Sequence, residues 1–141
     1  MEQKPINFAI RKIKELEFSV NEAISLVNSN ETNVSFELTT NVSLESNCVD
    51  LILTALFYDK PNGTVFMKIK TGNLFEVIEL AELYNLETDS FNIPDNVMVT
   101  MLSLSISHTR ALLAKNALGT KFADHYLPIV NPSIILHQLF N

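Results

Sequence analysis

The chain has 141 residues, 47% hydrophobic and only 18% charged, which fits one globular domain spanning residues 1–141 with a core of its own. Ten basic against sixteen acidic residues leave a net charge of -6, so most of the surface repels phosphate backbones and no nucleic-acid partner is expected. The single cysteine, Cys48, excludes an internal disulfide and a cysteine-based zinc site, and it reads as a small buried side chain.

The N-terminal stretch MEQKPINFAIRKIKELEF mixes charged and apolar residues and lacks the apolar run of a secretory signal, so a cytoplasmic protein is expected. Within it, Ile6, Ile10 and Ile13 would suit a helix, whereas Leu16, Phe18 and Val20 alternate with Glu15, Glu17 and Ser19 as in a strand. We read a strand with a bulge near Lys12 to Lys14. NEAISLVNSNET follows as a crossover loop with an apolar knuckle at Ala23, Ile24, Leu26 and Val27. From Asn33, Val34, Phe36 and Leu38 alternate with Ser35, Glu37 and Thr39, the period of a half-buried strand.

The third strand carries Val49, Leu51, Leu53, Ala55 and Phe57 on one face. Its other face, with Ile52, Leu56 and Tyr58, is not purely polar. The Asn62-Gly63 pair in DKPNGT marks a hairpin, which makes strands three and four antiparallel neighbours. Strict alternation after that turn puts Val65, Met67 and Ile69 on the core face and Phe66, Lys68 and Lys70 on the other, so Phe66 is expected to be an exposed aromatic. Residues 73–86 end the fourth strand and enter a short helix or irregular run.

Pro94 and Asp95 open a segment without glycine or proline that stops at Gly119, with Lys115 in its last turn where a cation suits the helix dipole. This predicts one long helix. Met98, Met101, Leu102, Leu112 and Leu113 form one apolar stripe; Val97, Leu104, Ala111 and Leu118 form another, which implies burial on more than one side. With His108, Arg110, Lys115 and many serines in this most apolar region, no stretch reads as a membrane span of roughly 20 residues, and membrane insertion is not expected. GTKFADHYLPIVNPS then leads to Asn131 as a helix cap and Pro132 as the first helical residue. The final helix presents Ile135, Leu136, Leu139 and Phe140 on one face. Four strands followed by two main helices argue for an α+β fold with an antiparallel sheet.

No group of residues converges on a reaction. His108, His125 and His137 lie on different elements, and none has a histidine or carboxylate at i+4 that would make a metal face. Arg110 is expected to pair with an acid at a subunit boundary. The three glycines supply no phosphate-cradling loop, and no Gly-x-Ser-x-Gly elbow is present. Glu76, Glu79, Glu82 and Glu87 read as a solvated acidic face. A catalytic site, a metal and a cofactor are therefore not expected.

Three stretches resemble the SecB family of protein-export chaperones: ELEFSV (Glu15 to Val20), TVFMKIKTGNLFEV (Thr64 to Val77) and ALGTKFADHYLPIVNPSIILHQLF (Ala117 to Phe140). The resemblance implies a four-stranded antiparallel sheet followed by a long helix and a short C-terminal helix packed on one face, assembled as a homotetrameric dimer of dimers. It implies ATP-independent holding of unfolded or precursor polypeptides. Client contacts would fall on Leu26, Val65, Phe122 and Tyr126, and subunit contacts on Met101, Leu104, Ala111 and Leu118. A partner surface on the exposed sheet would use Ile52, Leu56, Tyr58, Phe66 and Lys68. The family's exposed Leu and Glu on strand four, which meet the tail of the SecA motor, fall on Phe66 and Lys68. An acid replaced by a base argues against docking of that basic tail and leaves a SecA-type motor an open question. Two further departures are Asn21, where the family has a proline, and Pro132, where it has an aromatic. A small-ligand carrier and a regulatory partner of one toxin or secretion component remain the competing readings on the same scaffold.

Overall fold

The computed structural model describes residues 6–24 and 32–140; Leu26, Val27 and the side chain of Phe140 lie outside what it describes. Strands β1 (Phe8–Val20), β2 (Thr32–Ser43), β3 (Cys48–Asp59) and β4 (Thr64–Val77) form one antiparallel sheet in the order β1-β4-β3-β2. A 3-10 turn (Leu80–Leu83) and a small hairpin of β5 (Tyr84–Asn85) and β6 (Ser90–Phe91) lead to α1 (Asp95–Ala117) and finally α2 (Pro132–Phe140). Both long helices lie on one face of the sheet, the α+β arrangement expected from the order of elements.

The β3–β4 turn closes as its sequence requires. Gly63 has φ +64°, its amide donates to the Asp59 carbonyl (2.7 Å), and Asn62 Nδ2 donates to the Asp59 carboxylate (2.8 Å). β3 and β4 are the central strands, and the helices cover their inner face; on the other face β3 carries Ile52, Leu56 and Tyr58, whereas β4 carries Lys68, Lys70 and Glu76. β1 is the strand expected, but its irregularity is two register shifts, between Ile10 and Lys12 and between Glu15 and Glu17, which flank the expected site instead of occupying it.

One expectation fails at the start of β4. Tyr58 pairs with Val65 and Phe57 with Met67, so Phe66 is the extra residue of a bulge. The bulge breaks the alternation on which the exposure of Phe66 was based. Phe66 turns into the core (1% exposed) beside Met67, while Val65 (42% exposed) shares the open face with Tyr58.

α1 has a polar stripe of Asn96, Thr100, Ser103, Ser107 and Arg110 but, contrary to expectation, is by length and composition apolar enough to cross a membrane. Core helices can be equally apolar, and Val97, Met101, Leu102, Ile106, Leu113 and Ala117 of this one are buried within the subunit. Met101, expected at a subunit contact, is fully buried against Val49, Leu51 and Phe75 and is unavailable for one. Leu104 is half-buried at the margin of that cluster, Ala111 is exposed, and Leu118 is 71% exposed just beyond the helix end.

A directed chain of hydrogen bonds sets the register of α1 on the sheet. Thr109 Oγ1 donates its one proton to the Ser105 carbonyl (2.7 Å), so in its contact with Thr71 (2.8 Å) it accepts. Asn73 Nδ2 donates to Thr71 Oγ1 (3.0 Å) and to the Leu51 carbonyl (3.1 Å), which leaves Asn73 Oδ1 to accept from His108 Nδ1 (2.9 Å). Each hydroxyl uses its single hydrogen once, so the chain is consistent along its whole length and the proton on His108 sits at Nδ1. Burial lowers the His108 pKa from its ordinary value.

Candidate functional site

The segment between α1 and α2 is held as a strap across the end of the sheet. Gly119, with φ +84°, turns the chain out of α1, and Phe122 inserts against Phe66 with ring centroids 4.7 Å apart. Phe66 also stacks at an angle on Phe57 (6.2 Å), and His125 meets both Phe66 (5.3 Å) and Phe122 (5.9 Å) by its edge. Arg110 on α1 donates from Nε to the Leu127 carbonyl (3.3 Å) and from Nη2 to the Pro128 carbonyl (2.9 Å). Within the subunit its contacts are thus two strap carbonyls, a use the fork of the guanidinium permits. At the far end, Asn131 caps α2: its Oδ1 accepts from the Ser133 amide (2.9 Å), and its carbonyl accepts from the Ile135 amide (3.1 Å).

Between this strap, β2 and α2 lies a cavity of about 590 Å³, walled by Val34, Phe36 and Phe57 from the sheet and by Tyr126, Pro128 and Val130 from the strap. A second cavity of about 530 Å³ opens further along β2, between Thr40 and Val42, Phe91 and Ile93 after the small hairpin, and Met98 of α1. α2 separates the two, packing Ile135 and Leu136 against Phe36 and Leu38. The lining is mixed: Thr32, Asn33, Ser35, His125 and Gln138 stand beside the apolar side chains of the first cavity, and Thr40, Asp95 and His137 beside those of the second. Among the described residues no group of three or more His, Cys, Asp or Glu is placed to hold a metal.

The expected client contacts distribute unevenly around these cavities. Tyr126 lines the first and is 59% exposed. Phe122 is a core residue that anchors the strap instead of walling the groove. Val65 sits on the open face of the sheet beside Tyr58, apart from the strap. On that open face Ile52, Leu56, Tyr58 and Lys68 are half-buried, and Lys68 pairs with Glu17 (3.3 Å); Phe66 is absent from it because of the bulge. The contributions of Val34 and Phe36 went unassigned in the sequence, although their alternation was plain, because alternation alone does not say whether an inward face is fully covered. The acids read as a solvated face are partly engaged: Glu76 pairs with Arg11 (2.9 Å), which lowers the Glu76 pKa chiefly through their hydrogen bond, and Glu79 accepts from the Asn7 amide and side chain (both 2.9 Å).

Both histidines near the groove and core have pKa values lowered by burial, with Asp124 partly opposing the effect at His125. For a base whose folded pKa is depressed, the unfolded chain binds the proton more tightly, so stability is full above the unfolded value near 6.5 and declines as pH falls through the folded value. Urea midpoints are therefore expected to decrease from pH 7.5 to pH 5. The decrease should be smaller in the doubly substituted His108→Gln, His125→Gln protein; equal slopes would contradict the assignment.

No family model matches the chain, and no curated protein matches it. Among solved structures it is similar to a Mycobacterium tuberculosis SecB-like chaperone in complex with a ChAD peptide from the HigA1 antitoxin, at 13% identity, with 87% of each chain covered and a TM-score of 0.46.

Proposed function

We propose that this chain is an ATP-independent chaperone of the holdase type, which binds unfolded or precursor polypeptides in apolar grooves. The observation that carries this reading is the pair of cavities along β2, in which Val34, Phe36, Val42, Phe57, Phe91 and Met98 offer apolar surface, bordered by a strap that leaves Tyr126 and Ile129 (98% exposed) in solvent. A binder of many sequences needs apolar area and adaptable walls more than fixed polar contacts. The mean hydropathy of +0.17 accords with apolar surface held in reserve. Light scattering of an aggregating client tests the reading: suppression is expected at stoichiometric amounts without ATP, and no suppression at a several-fold excess would count against it.

The reading includes association of copies through the outer side of α1, where Leu104, Ala111 and Leu118 remain after Met101 is assigned to the core. Leu104→Asp is expected to reduce the mass measured by light scattering after gel filtration, because a charge in an apolar contact costs several kcal/mol unless paired. Ala111→Asp, at an exposed position, should do the same without disturbing the fold. An unchanged mass in both would exclude this face.

A small-ligand carrier is the second reading, favoured by one observation: about 590 Å³ falls within the range of small-molecule pockets. Native mass spectrometry revealing a retained lipid or metabolite would favour it over the holdase.

A further inference from the structure

The chain holds one Asn-Gly pair, Asn62-Gly63, in the turn between β3 and β4. In an open chain such a pair is unstable in water, because glycine has no side chain to hinder its own backbone nitrogen from reaching the γ-carbon of the asparagine before it. That nitrogen gives its proton to a base in solvent and bonds to Cγ, the bond from Cγ to Nδ2 breaks, and ammonia leaves with a proton from water. Water then opens the five-membered imide at either carbonyl, giving aspartate or isoaspartate. The net change is amide plus water to acid plus ammonia, with no enzyme or cofactor required. In the folded protein both reacting groups of the pair are engaged. The Gly63 amide donates to the Asp59 carbonyl (2.7 Å), which occupies the nucleophile, and Asn62 Nδ2 donates to the Asp59 carboxylate (2.8 Å), which occupies the leaving group. A carboxylate that accepts from the departing nitrogen cannot give it the proton it needs to leave. Both contacts are to Asp59, which ends β3 and is only 8% exposed. Steric cover is not the source of protection: Pro61, Asn62, Gly63 and Thr64 are exposed, and a Cβ at Gly63 would meet nothing within 4 Å.

We infer that Asn62 is a site of spontaneous deamidation held dormant by Asp59, and that the reaction, once it has occurred, releases the turn irreversibly. The release follows from the product. Aspartate at position 62 sets a second carboxylate against that of Asp59 where a donor stood, and like charges so close cannot both ionise without cost. Isoaspartate also adds one carbon to the main chain, which the short loop between the paired Asp59 and Thr64 has little slack to absorb. The turn adjoins the bulge that sends Phe66 into the core, and Phe66 in turn holds Phe122 of the strap. A turn that stays open therefore loosens the anchor of the strap.

The experiment follows Asn62 in the full chain at pH 7.5 by peptide mass spectrometry, which separates amide from acid by mass and aspartate from isoaspartate by elution. The folded chain is expected to convert about a hundredfold more slowly than the same chain unfolded in guanidinium chloride, and folded Asp59→Ala about tenfold faster than the parent, factors in keeping with two hydrogen bonds and with one. The acceleration should be confined to Asn62. Asn47, an exposed asparagine between β2 and β3, is expected to convert at the same rate in both proteins, whereas a variant that merely unfolds more often would quicken the two sites together and overturn the role of Asp59. If Asp59→Ala does not fold, Asp59→Asn, which keeps the shape and removes the charge, is read in the same way. Equal rates for the folded and unfolded parent, or for the parent and a folded Asp59 variant, overturn the proposal. Asn62→Asp tests the release: its urea midpoint is expected below that of the parent at pH 7.5, with the deficit shrinking on acidification as one of the two facing carboxylates takes up a proton. An equal midpoint at pH 7.5 would show that the turn accommodates the product and would overturn the release.

Discussion

Phe66→Ala is expected to destabilise the protein by about 3–5 kcal/mol, the cost of emptying a large aromatic site in a packed core. Phe66 sits among Phe57, Phe122 and His125, so its loss opens a cavity where the strap meets the sheet. The damage should extend to function, because the strap that carries Tyr126 is anchored on Phe66 through Phe122. Urea unfolding followed by circular dichroism checks the first effect through the midpoint at constant slope. Phe66→Leu, which keeps most of the volume, should lose less. A change within about 0.5 kcal/mol for the alanine variant, as expected of a surface position, would restore the alternating register and refute the bulge.

Asn73→Ala carries the second large effect, about 2–3 kcal/mol, since it leaves buried polar groups without their partners. Asn73 joins β4 to α1 through Thr71 and His108 and also donates to the Leu51 carbonyl. The surroundings do not admit water easily: Thr71, Asn73 and Thr109 are all essentially inaccessible. By contrast, Lys68→Ala should shift the midpoint little, because exposed ion pairs such as Lys68–Glu17 contribute about 0–1 kcal/mol. Equal effects of Asn73→Ala and Lys68→Ala would mean that the polar chain does not fix the helix on the sheet.

The elements with strong periodicity or punctuation were legible from the residues. Asn62-Gly63 marked the hairpin, Asn131-Pro132 marked the start of α2, and the run from Asp95 without glycine or proline marked α1. The bulge was not legible. Val65, Phe66 and Met67 are all apolar, so no polar residue marks where alternation breaks, and the turned-in Phe66 is specified by Phe57 and Phe122, distant in sequence. The assignment of Met101 failed for a related reason: on a helix with more than one apolar stripe, spacing cannot say which stripe meets the sheet. The groove was half legible. Tyr126 lines the first cavity, but the walls that β2 supplies depend on α2 packing against Phe36 and Leu38, which is a property of tertiary packing. Arg110 likewise found backbone carbonyls, which sequence patterns do not display.

The most direct test of the groove as a polypeptide site is a titration of a permanently unfolded, fluorescently labelled client with this protein and with the groove variant Phe36→Glu. Saturable, ATP-independent binding of the unfolded client is expected, with the native form of the same client ignored and the variant strongly weakened while still folded. Equal affinity for native and unfolded client, or full binding by a folded Phe36→Glu protein, would contradict it.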